Sequence, residues 1–129
     1  MVEPGRLALL PIFSQLTEEE RAGIAAYVDA VEVPAGERIA TAGDFAYEFF
    51  VVERGTAEVR RDGTRVAELG PGDFFGEVGL LVTGRRTADV IASSPMTLIA
   101  MFDANFRRLE RSEPAFSERI RSVLEERMP

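Results

Sequence analysis

The sequence predicts a mainly β protein, an antiparallel β-roll or jelly roll with a helical segment before it and two helices after it. Three observations carry that prediction. Seven short β-favouring runs recur at intervals of about ten residues between residues 28 and 102, each closed by a Gly, Pro or Asp turn signal. A capping-box pattern and a helical apolar stripe lie outside that region, at opposite ends of the chain. No alternation of strands with long helices appears, so a parallel sheet is not expected. The 129 residues are read as one domain, with N-terminal helices over 1–27, the roll over 28–102, and hinge and lid helices over 103–129.

Each element has a local reason. Thr17 followed by Glu18, Glu19 and Glu20 predicts a helix start with Thr17 as N-cap and Glu20 reaching back, and Ile24 and Val28 are expected on one face of it. The strand runs are Ala30–Val33, Arg38–Thr41, Glu48–Glu53, Thr56–Arg61, Thr64–Leu69, Thr87–Ala92 and Met96–Phe102. Among the turns, Arg61-Asp62-Gly63-Thr64 is the strongest hairpin signal, because Asp-Gly suits a type I′ turn with positive φ at both central residues. Asp103 is expected to cap a short helix carrying Phe106 and Leu109. Ser112-Glu113-Pro114 starts another, since proline fits a first helical turn and not a later one. Phe116, Ile120, Val123, Leu124 and Met128 form its apolar stripe. That stripe is read equally as simple packing on the roll and as the face of a moving lid.

Composition excludes several chemistries. There is no Cys and no His, which removes disulfides, thiolate nucleophiles, zinc–sulfur sites, catalytic triads and His-based metal sites. All 15 basic residues are Arg, so lysine Schiff bases and a phosphate loop built on Lys are also absent. The net charge of −7 and a pI of about 4.7 disfavour direct binding of nucleic acid or an anionic membrane. No apolar run approaches the roughly 18 residues of a membrane span, and Leu7–Phe13 makes a poor signal peptide. A cytoplasmic location, no metal, no cofactor and no enzymatic activity are the expectations.

One stretch stands apart, Gly70 through Val90. Gly76 and Gly79 let backbone N–H groups approach a ligand closely. A helical turn over 77–81 would point several unpaired N–H donors one way, which suits an anion. Arg86 offers a planar fork matched to two phosphate oxygens, and Thr87 adds a hydroxyl. Glu77 accepts hydrogen bonds when ionised and can hold sugar hydroxyls. Donors for phosphate beside one acceptor for ribose, with no Mg²⁺ ligand set, describe a site for a nucleotide of low phosphate charge. The plain alternatives are a structural Glu77–Arg86 ion pair and ordinary turn glycines.

Phe75-Gly76-Glu77-Val78-Gly79-Leu80-Leu81 with Arg86-Thr87-Ala88 and Val90 resembles the phosphate-binding cassette of the cyclic nucleotide-binding domain family. Gly84-Arg85-Arg86-Thr87-Ala88 is most similar to its channel and bacterial variants. Phe13-Ser14-Gln15-Leu16, Pro34-Ala35-Gly36-Glu37, Ala42-Gly43-Asp44, Phe49-Phe50-Val51-Val52 and Gly55 resemble the family's flanking pattern in the right order. The resemblance implies a sensor of cAMP or cGMP that moves its C-terminal helices on binding. Glu77 would hold the ribose 2′-hydroxyl, Arg86 the cyclic phosphate, and the amides of Gly79 and Thr87 the same phosphate, with Gly76 and Val78 completing the ligand-binding turn. Arg85, Val66, Val123 and Leu124 are secondary candidates, the last three for the purine. Gly79 departs from the family's usual Ala, Ser or Cys, which implies a looser turn. Arg85 stands where many members have Pro.

The partners so implied are a cyclic nucleotide and an effector protein or fused effector domain, and a homodimer is compatible with them. Two competing readings stand beside this one. One is a same-fold module that no longer binds nucleotide and acts by protein–protein interaction. The other is an enzyme related to sugar-binding cupins, using Glu77 near Arg86. A transcription regulator acting unaided is disfavoured by the acidic charge and by a chain with no helix-turn-helix after the last helix.

Overall fold

A computed structural model describes residues 1–127. Three helices open the chain, α1 (Pro4–Ala8), α2 (Pro11–Ser14) and α3 (Glu18–Ala25). Proline begins both α1 and α2, where its missing N–H costs nothing. The capping box is formed as read. Glu20 N donates to Thr17 Oγ1 at 3.1 Å and Thr17 N donates to Glu20 Oε1 at 2.8 Å. Arg21, one residue on, donates to the carbonyl oxygens of Phe13, Ser14 and Leu16, which closes the end of α2. Val28 is buried as expected but lies beyond the helix, which ends at Ala25.

Eight strands follow: β1 (Asp29–Val33), β2 (Arg38–Ala40), β3 (Glu48–Arg54), β4 (Ala57–Arg61), β5 (Thr64–Leu69), β6 (Phe74–Phe75), β7 (Asp89–Ala92) and β8 (Met96–Phe102). They form two antiparallel four-stranded sheets, ordered β1-β8-β3-β6 and β2-β7-β4-β5. This is an open β-roll; the turn spacing is equally compatible with a sandwich or barrel, and the sheets do not close into a barrel. The Asp62-Gly63 turn has φ of 52° and 77°, the positive pair that a type I′ hairpin requires. Most strand boundaries fall within one residue of expectation, with two larger differences. The Thr87–Ala92 run pairs only from Asp89, and β6 was not foreseen because two residues are too few to show a period.

Strand alternation sorts the apolar residues into two cores. Phe50 and Val52 of β3, with Met96, Leu98 and Ala100 of β8, face the second sheet. Phe49 and Val51, with Ile99 and Met101, face the helices. Strands covered on both faces read as unbroken apolar runs, which is how β3 and β8 appear in the sequence.

The chain ends in α4 (Asp103–Ser112) and α5 (Pro114–Arg127). Pro114 opens α5 as expected. Asp103 is the first residue of α4 and not its cap: Phe102 holds the cap position, and the Asp103 carboxylate accepts from Arg107 instead. Phe116 and Ile120 are buried, Val123 and Leu124 are half-buried, and Met128 lies outside the described residues. Five phenylalanines tie the layers together. Phe49 of β3 stacks on Phe106 of α4 at 4.7 Å between centroids and meets Phe74 of β6 at 5.4 Å. Phe116 of α5 meets Phe49, Phe106 and Phe13 of α2 at 6.0, 5.8 and 6.0 Å. The angle of α5 over the roll is set at this junction.

One ion pair makes the N-terminal segment sensitive to acid. Arg6 of α1 donates from Nε and Nη2 to the two oxygens of Glu53 at 2.9 and 2.5 Å. The hydrogen bond from Arg6 holds the Glu53 carboxyl below its ordinary range, against a smaller opposing effect of burial. A lowered folded-state pKa stabilises above the unfolded value and is lost as pH falls through the folded one. Urea midpoints should therefore fall as pH drops below about 4.3. In Arg6→Ala the Glu53 share of that fall should shrink sharply, with only the weaker pull of Arg54 remaining, and an unchanged acid slope in the variant would contradict this assignment.

Candidate functional site

After β6 the chain turns at Gly76, enters a helical turn at Glu77 and Val78, and continues as a π-helical segment over Gly79–Thr83. Gly84, left-handed at φ 73°, ends it. Gly76 has φ 103°, where only glycine is comfortable. A Cβ there would also stand 2.8 Å from both Arg86 Nη1 and Glu48 O. Gly79 has its own reason. A Cβ at this position would lie 2.8 Å from Ala46 Cβ and 3.0 Å from Arg85 O. Ala46 and the Arg85 carbonyl therefore close on Gly79, and a side chain there would have to displace one of them.

Arg86 reaches inward beneath this turn. Its Nη2 donates to Glu48 O at 3.0 Å, and its guanidinium lies 5.7 Å from the Phe50 ring centroid. Its Nη1 is buried without a partner. Burial pulls the Arg86 pKa below its ordinary value, and the Glu48 and Glu77 carboxylates oppose that pull. An arginine remains charged throughout. Glu77 is completely buried. Its Oε1 accepts from Nη1 of Arg127, in the last turn of α5, at 2.5 Å, while its Oε2 has no partner. Among the described residues Glu77 and Arg86 form no ion pair with each other; Glu77 pairs with Arg127 instead, and Arg86 with the Glu48 carbonyl.

Both residues line one cavity of about 310 Å³ between the second sheet, the Gly76–Gly79 turn and the end of α5. Among the described residues, Glu77 Oε2 and Arg86 Nη1 are the buried side-chain polar atoms left unmatched. One is an acceptor and the other a donor. Each such atom costs about 1–3 kcal/mol if left unmatched, more when charged, so water or a ligand is expected to meet both. The occupant this pair suits accepts from a guanidinium and donates to a carboxylate.

The structure brings most of the candidates together. Gly76, Glu77, Val78, Gly79, Arg86, Thr87 and Val66 all line the cavity. Arg85 does not; its guanidinium stacks 4.1 Å from the Phe45 ring centroid and donates to Gly43 O at 2.8 Å. Val123 packs against the helix-side core, and neither it nor Leu124 reaches the cavity wall. Arg61, Glu126 and Arg127 line the cavity and were not singled out from the sequence. Arg127 had a signal. It continues the spacing Phe116, Ile120, Val123 and so puts a charge on an apolar face, which needs a buried partner. That partner is Glu77, and Nη2 of Arg127 also donates to Phe74 O at 2.7 Å.

Comparison with known proteins identifies the family. The family model described as the cyclic nucleotide-binding domain matches residues 30–113. The chain is 34% identical over 98 residues to a cAMP-dependent protein kinase regulatory subunit of Yarrowia lipolytica, covering 76% of this chain and 26% of that one. It is 36% identical over 112 residues to the subunit of that name in Mycosarcoma maydis, covering 84% and 20%. The chain thus spans about a quarter of the length of the curated relatives it matches. The catabolite activator protein of Thermus thermophilus superposes with a TM-score of 0.78 at 30% identity, over 91% of this chain and 57% of that one. The regulatory domain of Toxoplasma gondii PKA, solved with cAMP, superposes at 0.81 and 23% identity, over 95% and 48%, a likeness of fold.

Proposed function

This chain belongs to the cyclic nucleotide-binding domain family, and from that premise we propose that it is a non-catalytic sensor binding cAMP or cGMP in the cavity beneath Gly76–Gly79. The observation that carries the reading is the unmatched pair, Arg86 Nη1 and Glu77 Oε2, on one cavity wall. A cyclic phosphate supplies acceptor oxygens for the first and a ribose 2′-hydroxyl supplies a donor for the second. The amides of Gly79 and Thr87 add donors to the phosphate. Val66 and the neighbouring wall residues Val59 and Ala67 give the purine an apolar surface.

Signalling follows from Arg127. A ribose hydroxyl on Glu77 shares a carboxylate that α5 already holds through Arg127, so ligand binding and the position of α5 are linked. The effector that reads this motion is a partner protein or a fused domain. The competing reading, a module that has lost its ligand, draws on the same Arg127 contact, which already engages half of Glu77.

Calorimetric titration with cAMP and with cGMP separates the two. Charge-assisted bonds of about 1.5–3 kcal/mol each, less the entropy of association, lead to dissociation constants on the order of micromolar. At about 100 times that concentration the ligand should stabilise the fold by about 2.7 kcal/mol, visible as a raised melting temperature. No heat and no thermal shift with either nucleotide would leave the protein-interaction reading standing. Release of a linear monophosphate during the incubation would favour an enzyme.

A further inference from the structure

The π-helical segment Gly79–Thr83 has two ends with different surroundings. Its start, with Glu77 and Val78, lines the cavity. At its finish the backbone donors are already engaged: Gly84 N bonds Gly79 O at 2.8 Å, and Arg85 N bonds Thr83 Oγ1 at 3.2 Å. The Leu80 carbonyl is taken from outside the segment, by Nη2 of Arg107 in α4. Arg107 is itself aimed by Asp103, one turn earlier, whose Oδ1 accepts from Nε at 2.5 Å. Beneath this polar link the Leu80 side chain is buried in the same core as Phe106 and Leu109. α4 lies between two extended residues, Phe102 (φ −69°, ψ 154°) and Glu113 (φ −121°, ψ 99°). It is ten residues long.

We propose that Arg107 is a positioning residue that joins the ligand-binding turn to α4, so that displacement of the turn is delivered to the C-terminal helices through the Leu80 carbonyl. The proposal rests on the nucleotide reading of the cavity. Apolar packing in the core that Leu80 shares with Phe106 is non-directional and allows one surface to slide over another. A charged hydrogen bond has a preferred length and angle, so it moves with its partner or breaks. Because Arg107 and Asp103 are each more than two-fifths exposed, water competes for this link, and the expected effects are correspondingly modest.

Hydrogen exchange read by mass spectrometry on the full chain tests this in two arms, using Arg107→Ala, Arg107→Lys and the unsubstituted protein. Without nucleotide, amides of residues 79–84 should exchange about three- to tenfold faster in Arg107→Ala. With saturating cAMP, the ligand-induced change in protection over residues 103–112 should fall to about half or less in Arg107→Ala, while affinity shifts by no more than about threefold. Arg107→Lys should recover part of both, since one carbonyl needs one donor and Lys supplies it. A full wild-type protection change in α4 of Arg107→Ala overturns the proposal, as does unchanged exchange at 79–84. Should the unsubstituted protein bind neither cAMP nor cGMP, the nucleotide reading falls, and the first arm alone then decides whether Arg107 ties the turn to α4.

Discussion

Arg86→Ala is expected to weaken cyclic nucleotide binding by about 2–5 kcal/mol, on the order of 30-fold to several thousand-fold. The reason is asymmetric. The variant leaves the ligand's phosphate desolvated in a buried cavity with its charged partner gone, which costs more than the lost bond itself. Arg86→Lys should recover only part of the loss, because an ammonium is a point charge and cannot fork across two oxygens. The stability of the nucleotide-free protein should move the other way or not at all. Arg86 is half-buried with its Nη1 buried and unmatched, so the folded state bears a desolvation cost that alanine removes. Titration calorimetry and thermal melting of the same sample check both signs. Equal affinity of Arg86→Ala and the parent would end the site assignment.

Gly76→Ala is expected to damage both properties at once. Alanine at φ 103° costs about 1–3 kcal/mol in backbone strain. Its methyl would also displace Arg86 Nη1 and the Glu48 carbonyl, each 2.8 Å from the new carbon. Glu48 O is the acceptor that aims Arg86, so the same methyl misdirects the guanidinium. Melting should fall by roughly 5–15 °C for a domain of this size, and nucleotide affinity should drop as far as in Arg86→Ala. Gly23→Ala is the matched control. Gly23 lies inside α3 with open space around it, so alanine there should stabilise slightly, by about 0.5–1 kcal/mol. A Gly76→Ala protein that melts and binds like its parent would show that the turn has freedom the geometry denies it.

Much of this molecule was legible in residue order because the features concerned are local. The Thr17–Glu20 capping box spans four residues and the Asp62-Gly63 turn two, and both formed where their chemistry demanded. Strand runs and turn signals placed seven of eight strands, and Pro114 placed the break before α5. Phe75-Gly76-Glu77 and Arg86-Thr87 marked the candidate site because they offer backbone freedom, a carboxylate and a guanidinium within a short run that resembles the family's phosphate-binding cassette. The missing His and Cys removed whole classes of chemistry before any fold was known.

Packing decided the rest. β6 exists because Phe74 and Phe75 find β3, not because two residues have a period. Arg85 and Arg86 are adjacent and chemically identical, yet one stacks on an exposed phenylalanine and the other enters the cavity. Arg127 meets Glu77 across fifty positions of chain, and Arg107 meets Leu80 across twenty-seven. A periodic pattern reports which face of an element is apolar, but not the angle at which that element docks. Here the angle of α4 and α5 comes from a five-phenylalanine junction drawn from five separate elements. With α5 docked there, Arg127 is the charged group at its end that reaches the buried carboxylate of Glu77.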